Sequence, residues 1–291
     1  MAVGIERIGE TCDLLGEGPL WDVAEQAFYW LDSRNGIIHR LDWASQQRRG
    51  WDVGQKIGSM ALREGGGAVC ALQNGFQFFD FGTGGLTMIE DPEAGEPRTR
   101  FNDGKVDRQG RFIAGSMAQF ERELALGSYY RLWPDGRLEK LVGDIKVANG
   151  PCFSPAGDTW YFADSRTACI YAMDYDGATG AIANRRVAVD LGEWSSVPDG
   201  TTVDAEGNIW TAMVVSRKVG CFSPQGEMLR SIDMPVSYPS SVMFGGPKLD
   251  ILFVTSILDS GNRRADEAEA GGLFAVTGLD VQGVAEPRFK G

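Results

Sequence analysis

Histidine is almost missing from this chain: His39 is the only one in 291 residues. That removes any metal site built from several imidazoles. A Ser-His-Asp triad would have to use His39, and there is no GxSxG elbow to present the serine. A cysteine nucleophile has no other histidine to pair with. The five cysteines, Cys12, Cys70, Cys152, Cys169 and Cys221, are odd in number and show no CxxC spacing. They argue against a disulfide framework or a zinc knuckle and suit the reduced, packed thiols of a cytoplasmic protein. No run reaches the roughly 18 apolar residues of a membrane span, and the opening residues lack a signal peptide's apolar stretch. Basic residues are also short. Lys and Arg number 28 against 40 Asp and Glu, a formal net charge of −12, so no cationic surplus is left to displace counterions from nucleic acid or to bind an anionic membrane. Walker and Rossmann fingerprints are absent in context, which leaves a nucleotide enzyme unsupported.

What the chain does have is turns and tryptophan. Its 39 glycines and 8 tryptophans point to many short strands, since glycine marks turns and tryptophan packs between sheets. Apolar strand-like segments led in by the same kind of turn begin near Leu20, Leu62, Val106, Phe153, Val203 and Phe244, at spacings of 42, 44, 47, 50 and 41 residues. Each is followed by a second two-strand unit, beginning at Gly36, Gly75, Gly127, Ala168, Lys218 and Gly271. Two hairpins per repeat at this period predict an all-β six-bladed propeller with four antiparallel strands per blade, one domain over residues 1–291. A β-sandwich is the alternative. The polar segment Gly261–Gly272 that interrupts the last repeat reads as a solvated loop.

The repeat phase selects a set of side chains. Five positions before the turn residues Asp22, Asp107, Ser154 and Asp204 stand Glu17, Asn102, Asn149 and Asp199. The second and sixth repeats offer Ile57 or Gly58, and roughly Ser240. In a propeller, equivalent positions of the innermost strands converge on the central channel, so these residues form one ring of oxygen donors suited to a hard cation. Taken singly, Asn102, Asn149 and Asp199 with their glycine neighbours are also ordinary turn formers. Glu17 is not, and its flanking Gly16 and Gly18-Pro19 favour a side-chain role. His39 lies in an alternating strand, Ile37–Leu41, where packing or surface exposure is expected. Trp21, Tyr29, Trp30, Trp160 and Trp210 are expected to pack blades and not to form a sugar platform.

The segments LGEGPLWD (15–22), RFNDGKVDRQGRFIAGSM (100–117), ANGPCFSP (148–155) and PDGTTVDAEGNIWTAM (198–213) resemble the signatures of the senescence marker protein/regucalcin/gluconolactonase family. The similarity continues through DYDGATGAIANRR (174–186) and FGGPKLDILFVTS (244–256) and so covers nearly the whole chain. The resemblance implies a six-bladed propeller holding one divalent cation and hydrolysing a sugar lactone to its aldonic acid. It assigns Glu17, Asn149 and Asp199 as metal ligands, Asp199 also as general base, and Arg100 and Asn102 as substrate contacts. The repeat phase alone does not separate Asn102 from the ligands. Some members carry an acidic pair directly after the turn that here ends Met117-Ala118. This chain has Gln119-Phe120 and only then Glu121, so a substrate-binding glutamate is displaced to Glu121 or replaced, with a consequence for sugar preference. Oxygen ligands suit Ca²⁺, Mg²⁺ or Mn²⁺, and the resemblance adds Zn²⁺ and Fe²⁺. The expected partner is a small lactone, with the chain a monomer or weak oligomer. The alternatives are a calcium-binding regulatory propeller, a protein-binding scaffold, or a promiscuous esterase or phosphotriesterase using the same site.

Overall fold

The computed structural model describes residues 2–291. Strand β1 (Gly4–Arg7) is followed by five blades in sequence. The first is β2 (Gly16–Asp22), β3 (Ala27–Asp32), β4 (Ile37–Asp42) and β5 (Arg48–Asp52). The second is β6 (Ile57–Leu62), β7 (Ala68–Leu72), β8 (Gly75–Phe79) and β9 (Leu86–Glu90). The third is β10 (Thr99–Val106), β11 (Phe112–Ala118), β12 (Gly127–Leu132) and β13 (Leu138–Ile145), and the fourth β14 (Ala148–Phe153), β15 (Thr159–Asp164), β16 (Cys169–Tyr175) and β17 (Ile182–Asp190). The fifth is β18 (Pro198–Val203), β19 (Ile209–Met213), β20 (Lys218–Phe222) and β21 (Met228–Asp233). The sixth has β22 (Pro239–Gly245), β23 (Ile251–Ser256) and β24 (Phe274–Thr277), and its outermost strand is β1. The six-bladed propeller expected from the repeat is therefore present, and among the described residues the only helical pieces are two short 3₁₀ turns, Ser165–Thr167 and Leu191–Trp194.

The sixth blade corrects one expectation. The segment after Gly271 supplies a single strand, and the fourth comes from the opposite end of the chain, Gly4 pairing with Thr277 and Arg7 with Phe274. Joining the two ends in one sheet closes the circle and leaves β22 packed beside β2. The Ser240 hydroxyl donates to the Gly16 carbonyl at 2.5 Å across this seam.

Second strands such as AFYWLD of β3 are buried along their whole length, and the first strands are buried except at scattered half-buried positions that face the channel, as in TRFNDGKV of β10. The fourth strands, such as RRGWD of β5, are largely exposed. The gradient follows position: a strand near the axis has a neighbouring blade on each face, whereas the rim meets water. Trp21, Trp30, Trp160 and Trp210 are buried between blades, as is Tyr29, which fits the packing role expected of them. All five cysteines are free thiols, three of them buried.

The marking turns at Asp107, Ser154 and Asp204 are each capped by a side chain, with one geometry at the two aspartates. Asp107 Oδ1 accepts from the amides of Gln109 and Arg111 at 3.0 and 2.9 Å. Asp204 Oδ1 accepts from Glu206 and Asn208 at 3.0 and 2.9 Å. The Ser154 hydroxyl accepts from Asp158 and Thr159, both at 3.1 Å. Each side chain thus caps the hairpin joining the first strand of a blade to the second. Because the cap fixes where the hairpin ends, it also fixes which residue five positions earlier meets the axis.

Candidate active site at the channel mouth

A second regularity lies at that ring. In all six blades the pairing of first and second strands slips at this level: between Glu17 and Leu20, Ile57 and Ser59, Phe101 and Gly104, Asn149 and Cys152, Pro198 and Thr201, and Pro239 and Ser241. A bulge of this kind breaks the in-out alternation and re-aims a side chain. Asn102 and Asp199 fall inside their bulges, and Glu17 and Asn149 open theirs. Glycine follows because the inner strands crowd together. Gly150 has φ near +50°, and a Cβ there would sit 2.3 Å from the Thr201 hydroxyl. In the second blade the ring position is Gly58, where a Cβ would meet the Asn102 backbone at 2.4 Å. The second blade therefore contributes backbone contact and no ligand.

Glu17, Arg100, Asn102, Asn149 and Asp199 line one 60 Å³ cavity at this end of the channel. A hydrogen-bonded chain orders part of it. The Arg100 guanidinium donates to Asn102 Oδ1 at 2.8 Å and to the Phe101 carbonyl at 2.7 Å. Asn102 Nδ2 donates to Asn149 Oδ1 at 2.6 Å and to the Ala148 carbonyl at 2.8 Å. Asn149 Nδ2 donates to the Ser165 hydroxyl at 2.8 Å, which donates in turn to the Pro198 carbonyl at 2.6 Å. These contacts fix both carboxamides, leaving Asn149 with its oxygen on the side of Asn102.

The two carboxylates are treated differently. Glu17 is 7% exposed, and its Oε2 is buried without a hydrogen-bond partner. Burial, then the charges of Asp199 and Asp103, push its pKa well above the ordinary carboxylate value. Burial and the charge of Asp103 push Asp199 up to about 8, against the opposing pull of Arg263, Arg122 and Arg100. Asp103 itself accepts a 2.8 Å bond from the Gly150 amide and is raised by burial. One buried and one half-buried carboxylate without protein cations in contact are costly.

The donor set fits a hard divalent cation. It comprises two carboxylates, one with an orphaned buried oxygen, and a carboxamide oxygen held in place by its neighbours. Among the described residues no three His, Cys, Asp or Glu side chains cluster as ligands. This set has two such side chains, and Asn149 supplies the third oxygen. A cation there would reverse the unfavourable charge on Glu17 and Asp199. His39 is elsewhere, stacked on Trp30 with ring centroids 4.8 Å apart and 3.1 Å from Asp13.

Several neighbours were not visible in the repeat. Ser165 belongs to the 3₁₀ turn after β15. Arg122 lies on the loop between β11 and β12, and Asn262 and Arg263 on the loop between β23 and β24; all four line the inner cavity. The segment Gly261–Gly272, read above as a solvated loop, therefore forms part of the wall. Glu121 is exposed and lines only the wider outer cleft, beside Arg100 and Lys56. The residue that turns inward from that loop is the next one, Arg122.

Comparison with known proteins matches the chain to a family. The family model described as the SMP-30/Gluconolactonase/LRE-like region matches residues 15–258. The chain is 32% identical over 297 residues to regucalcin of Xenopus laevis, covering all of this chain and 99% of that one. It is 36% identical over 284 residues to the 6-deoxy-6-sulfogluconolactonase of Pseudomonas putida, covering 96% of each. Among solved structures, a calcium-binding regucalcin from Agrobacterium tumefaciens superposes with a TM-score of 0.90 at 29% identity, covering 98% of this chain and 96% of that one.

Proposed function

Because the chain belongs to the SMP-30/gluconolactonase/LRE-like family, we propose that it hydrolyses a sugar lactone to its aldonic acid with one divalent cation held by Glu17, Asn149 and Asp199. The observation that carries this reading is the buried Glu17 and half-buried Asp199 beside a pinned carboxamide, opening on a cavity lined by Arg100 and Asn102. A lactone is an intramolecular ester, so its opening needs a polarised carbonyl and an activated water. The bound cation, among Ca²⁺, Zn²⁺, Mn²⁺, Mg²⁺ and Fe²⁺, supplies Lewis-acid stabilisation of the developing negative charge.

The chain's own residues do the rest. Asp199 accepts a proton from the water as its oxygen attacks the carbonyl carbon. The same carboxyl then returns that proton to the ring oxygen as the ester C–O bond breaks, leaving an acid and a free hydroxyl. Asp199 must be ionised at the outset, and Arg122, Arg263 and Arg100 favour that state. Arg100 presents guanidinium donors, and Asn102 can both donate and accept, which suits the hydroxyls of a polyol. Asn102 also steadies the Asn149 oxygen, so it joins substrate binding to ligand placement. Ser165 positions Asn149 from the other side. The small inner cavity keeps bulk water away while the outer cleft admits the sugar.

The names of the regucalcin relatives favour a second reading, in which the site binds calcium without turnover. Asp199→Asn, which keeps shape and removes the base, separates the two. Loss of lactone hydrolysis in a folded variant supports the enzyme, and a wild-type rate would sink the assigned mechanism.

A further inference from the structure

Beyond the inner cavity the channel mouth widens into a 770 Å³ cleft. Its lining carries five cations, Arg34, Lys56, Arg100, Arg122 and Arg166, against two carboxylates, Glu121 and Glu123, in a chain with a net charge of −12. Lys56 stands just before β6, Arg100 lies on β10 and Arg122 on the β11–β12 loop; Arg263, on the β23–β24 loop, lines the inner cavity behind them. Among the described residues none of these four forms an ion pair with a carboxylate. Other cations at the same mouth are neutralised: Arg34 meets Asp259 at 2.6 Å, and Arg166 pairs with Glu123. Arg100 is engaged by Asn102 and the Phe101 carbonyl. Lys56 meets the Gln119 side-chain oxygen at 3.2 Å and lies 6.0 Å from the Phe120 ring centroid, and among the described residues no hydrogen bond engages the Arg122 side chain. Burial and the charges of Arg100, Arg34 and Arg122 lower the pKa of Lys56. Burial and the charges of Arg263 and Arg166 do the same to Arg122, against Asp199. Like charges held together at a partly desolvated surface favour an anion between them.

The placement says where the anion belongs. Arg122 lines both the inner cavity and the outer cleft, whereas Lys56 lines the outer cleft alone. A ligand reaching both therefore has one end among Glu17, Asn149 and Asp199 and an acidic end farther out. We propose that the substrate is a lactone bearing an anionic substituent, a sulfonate, phosphate or carboxylate, on the carbon farthest from its carbonyl, held by Lys56 and Arg122. This rests on the lactonase reading for the inner end. The outer end stands on the unpaired cations, with an arginine fork suited to two oxygens of an oxyanion.

The test compares kcat/KM of the metal-loaded protein on a neutral six-carbon lactone and on the same lactone carrying a distal sulfonate, phosphate or carboxylate. The preferred anion identifies the substituent. At least about a 10–100-fold preference for one anionic form is expected, the range of hydrogen bonds to charged groups. It should weaken as salt is added. Lys56→Ala should reduce that preference by roughly the same factor, chiefly through KM, and Lys56→Arg should restore most of it. Equal or better use of the neutral lactone would overturn the proposal, as would a Lys56→Ala variant that lowers both substrates alike. A parallel titration with the open-chain acid bearing the same distal anion needs no turnover. Salt-sensitive binding lost in Lys56→Ala, with no lactone hydrolysed, would retain the anion site and reject the lactonase reading. Hydrolysis of neutral lactones alone, without such binding, would do the reverse.

Discussion

One channel runs along the propeller axis, and its two stretches handle charge in opposite ways. Beyond the ring all six first strands line a narrow space, with Pro19, Met60, Lys105, Pro151, Thr201 and Ser241 facing it. The charges there are paired: Glu286 from the chain's last segment lies 4.0 Å from Lys105 and 3.8 Å from Arg108, though its Oε2 makes no hydrogen bond, and Asp103 accepts from the Gly150 amide. At the mouth the same strands hold Glu17 with an orphaned oxygen, Asp199 with a raised pKa, and cations without carboxylate partners. A fold normally pairs the charges it buries. Where one stretch sets its carboxylate against cations and the adjoining stretch leaves carboxylate and cations apart, the unpaired charges mark where a ligand belongs.

Exchanging Asp199 gives the largest expected effect on the mouth. Asp199→Ala should lower turnover by roughly 10²–10⁴-fold, the scale of a positioned general base, while circular dichroism and melting behaviour stay close to wild type. Glu17→Gln comes next. It keeps the volume and removes the charge, and calorimetric titration should find cation affinity down by at least about 100-fold, more than a typical outer-shell loss. The inner blades give a third contrast, in stability instead of activity. Asp107 is fully buried and bonded to Arg111, to Tyr175 and to two backbone amides. Asp107→Ala leaves Arg111 uncompensated and should cost about 3–5 kcal/mol by denaturant unfolding, with kcat of the remaining folded protein little changed.

The fourth prediction concerns pH. Folded Glu17 and Asp199 hold protons more tightly than ordinary carboxylates. From about pH 4, where unfolded carboxylates titrate, up to about 8 for Asp199, the metal-free native state therefore binds more protons than the unfolded chain. Its stability should fall as pH rises through that window. Saturating cation should flatten or reverse the trend in a thermal melt and release protons near pH 7. The smallest effect is expected at Glu121, which is exposed in the outer cleft. Glu121→Ala should move KM by only a few-fold, since single exposed charge contacts are worth little.

How much could be read beforehand follows from what the repeat encodes. The hairpin caps at Asp107, Ser154 and Asp204 recur because every blade needs the same turn, so counting back from them reached Asn102, Asn149 and Asp199; Asp22 led in the same way to Glu17. The bulges that aim these side chains were not legible, since a slip in pairing depends on the partner strand. Nor was the role of β1 visible: GIER is short, largely exposed, and paired with residues about 270 positions away. Ser165, Arg122 and Arg263 lie off the repeat phase, in a 3₁₀ turn and two loops whose lengths differ from blade to blade. Periodicity cannot place such residues, because each loop takes its path from local contacts.

The most direct test is acid release from a panel of pentono- and hexono-lactones by metal-stripped protein, before and after reloading with Ca²⁺, Mg²⁺, Mn²⁺, Zn²⁺ or Fe²⁺. Silence when stripped, and turnover well above spontaneous hydrolysis restored by a cation, is the predicted result. Hydrolysis at full rate in the stripped protein would contradict it, as would a tightly bound cation with no lactone turned over.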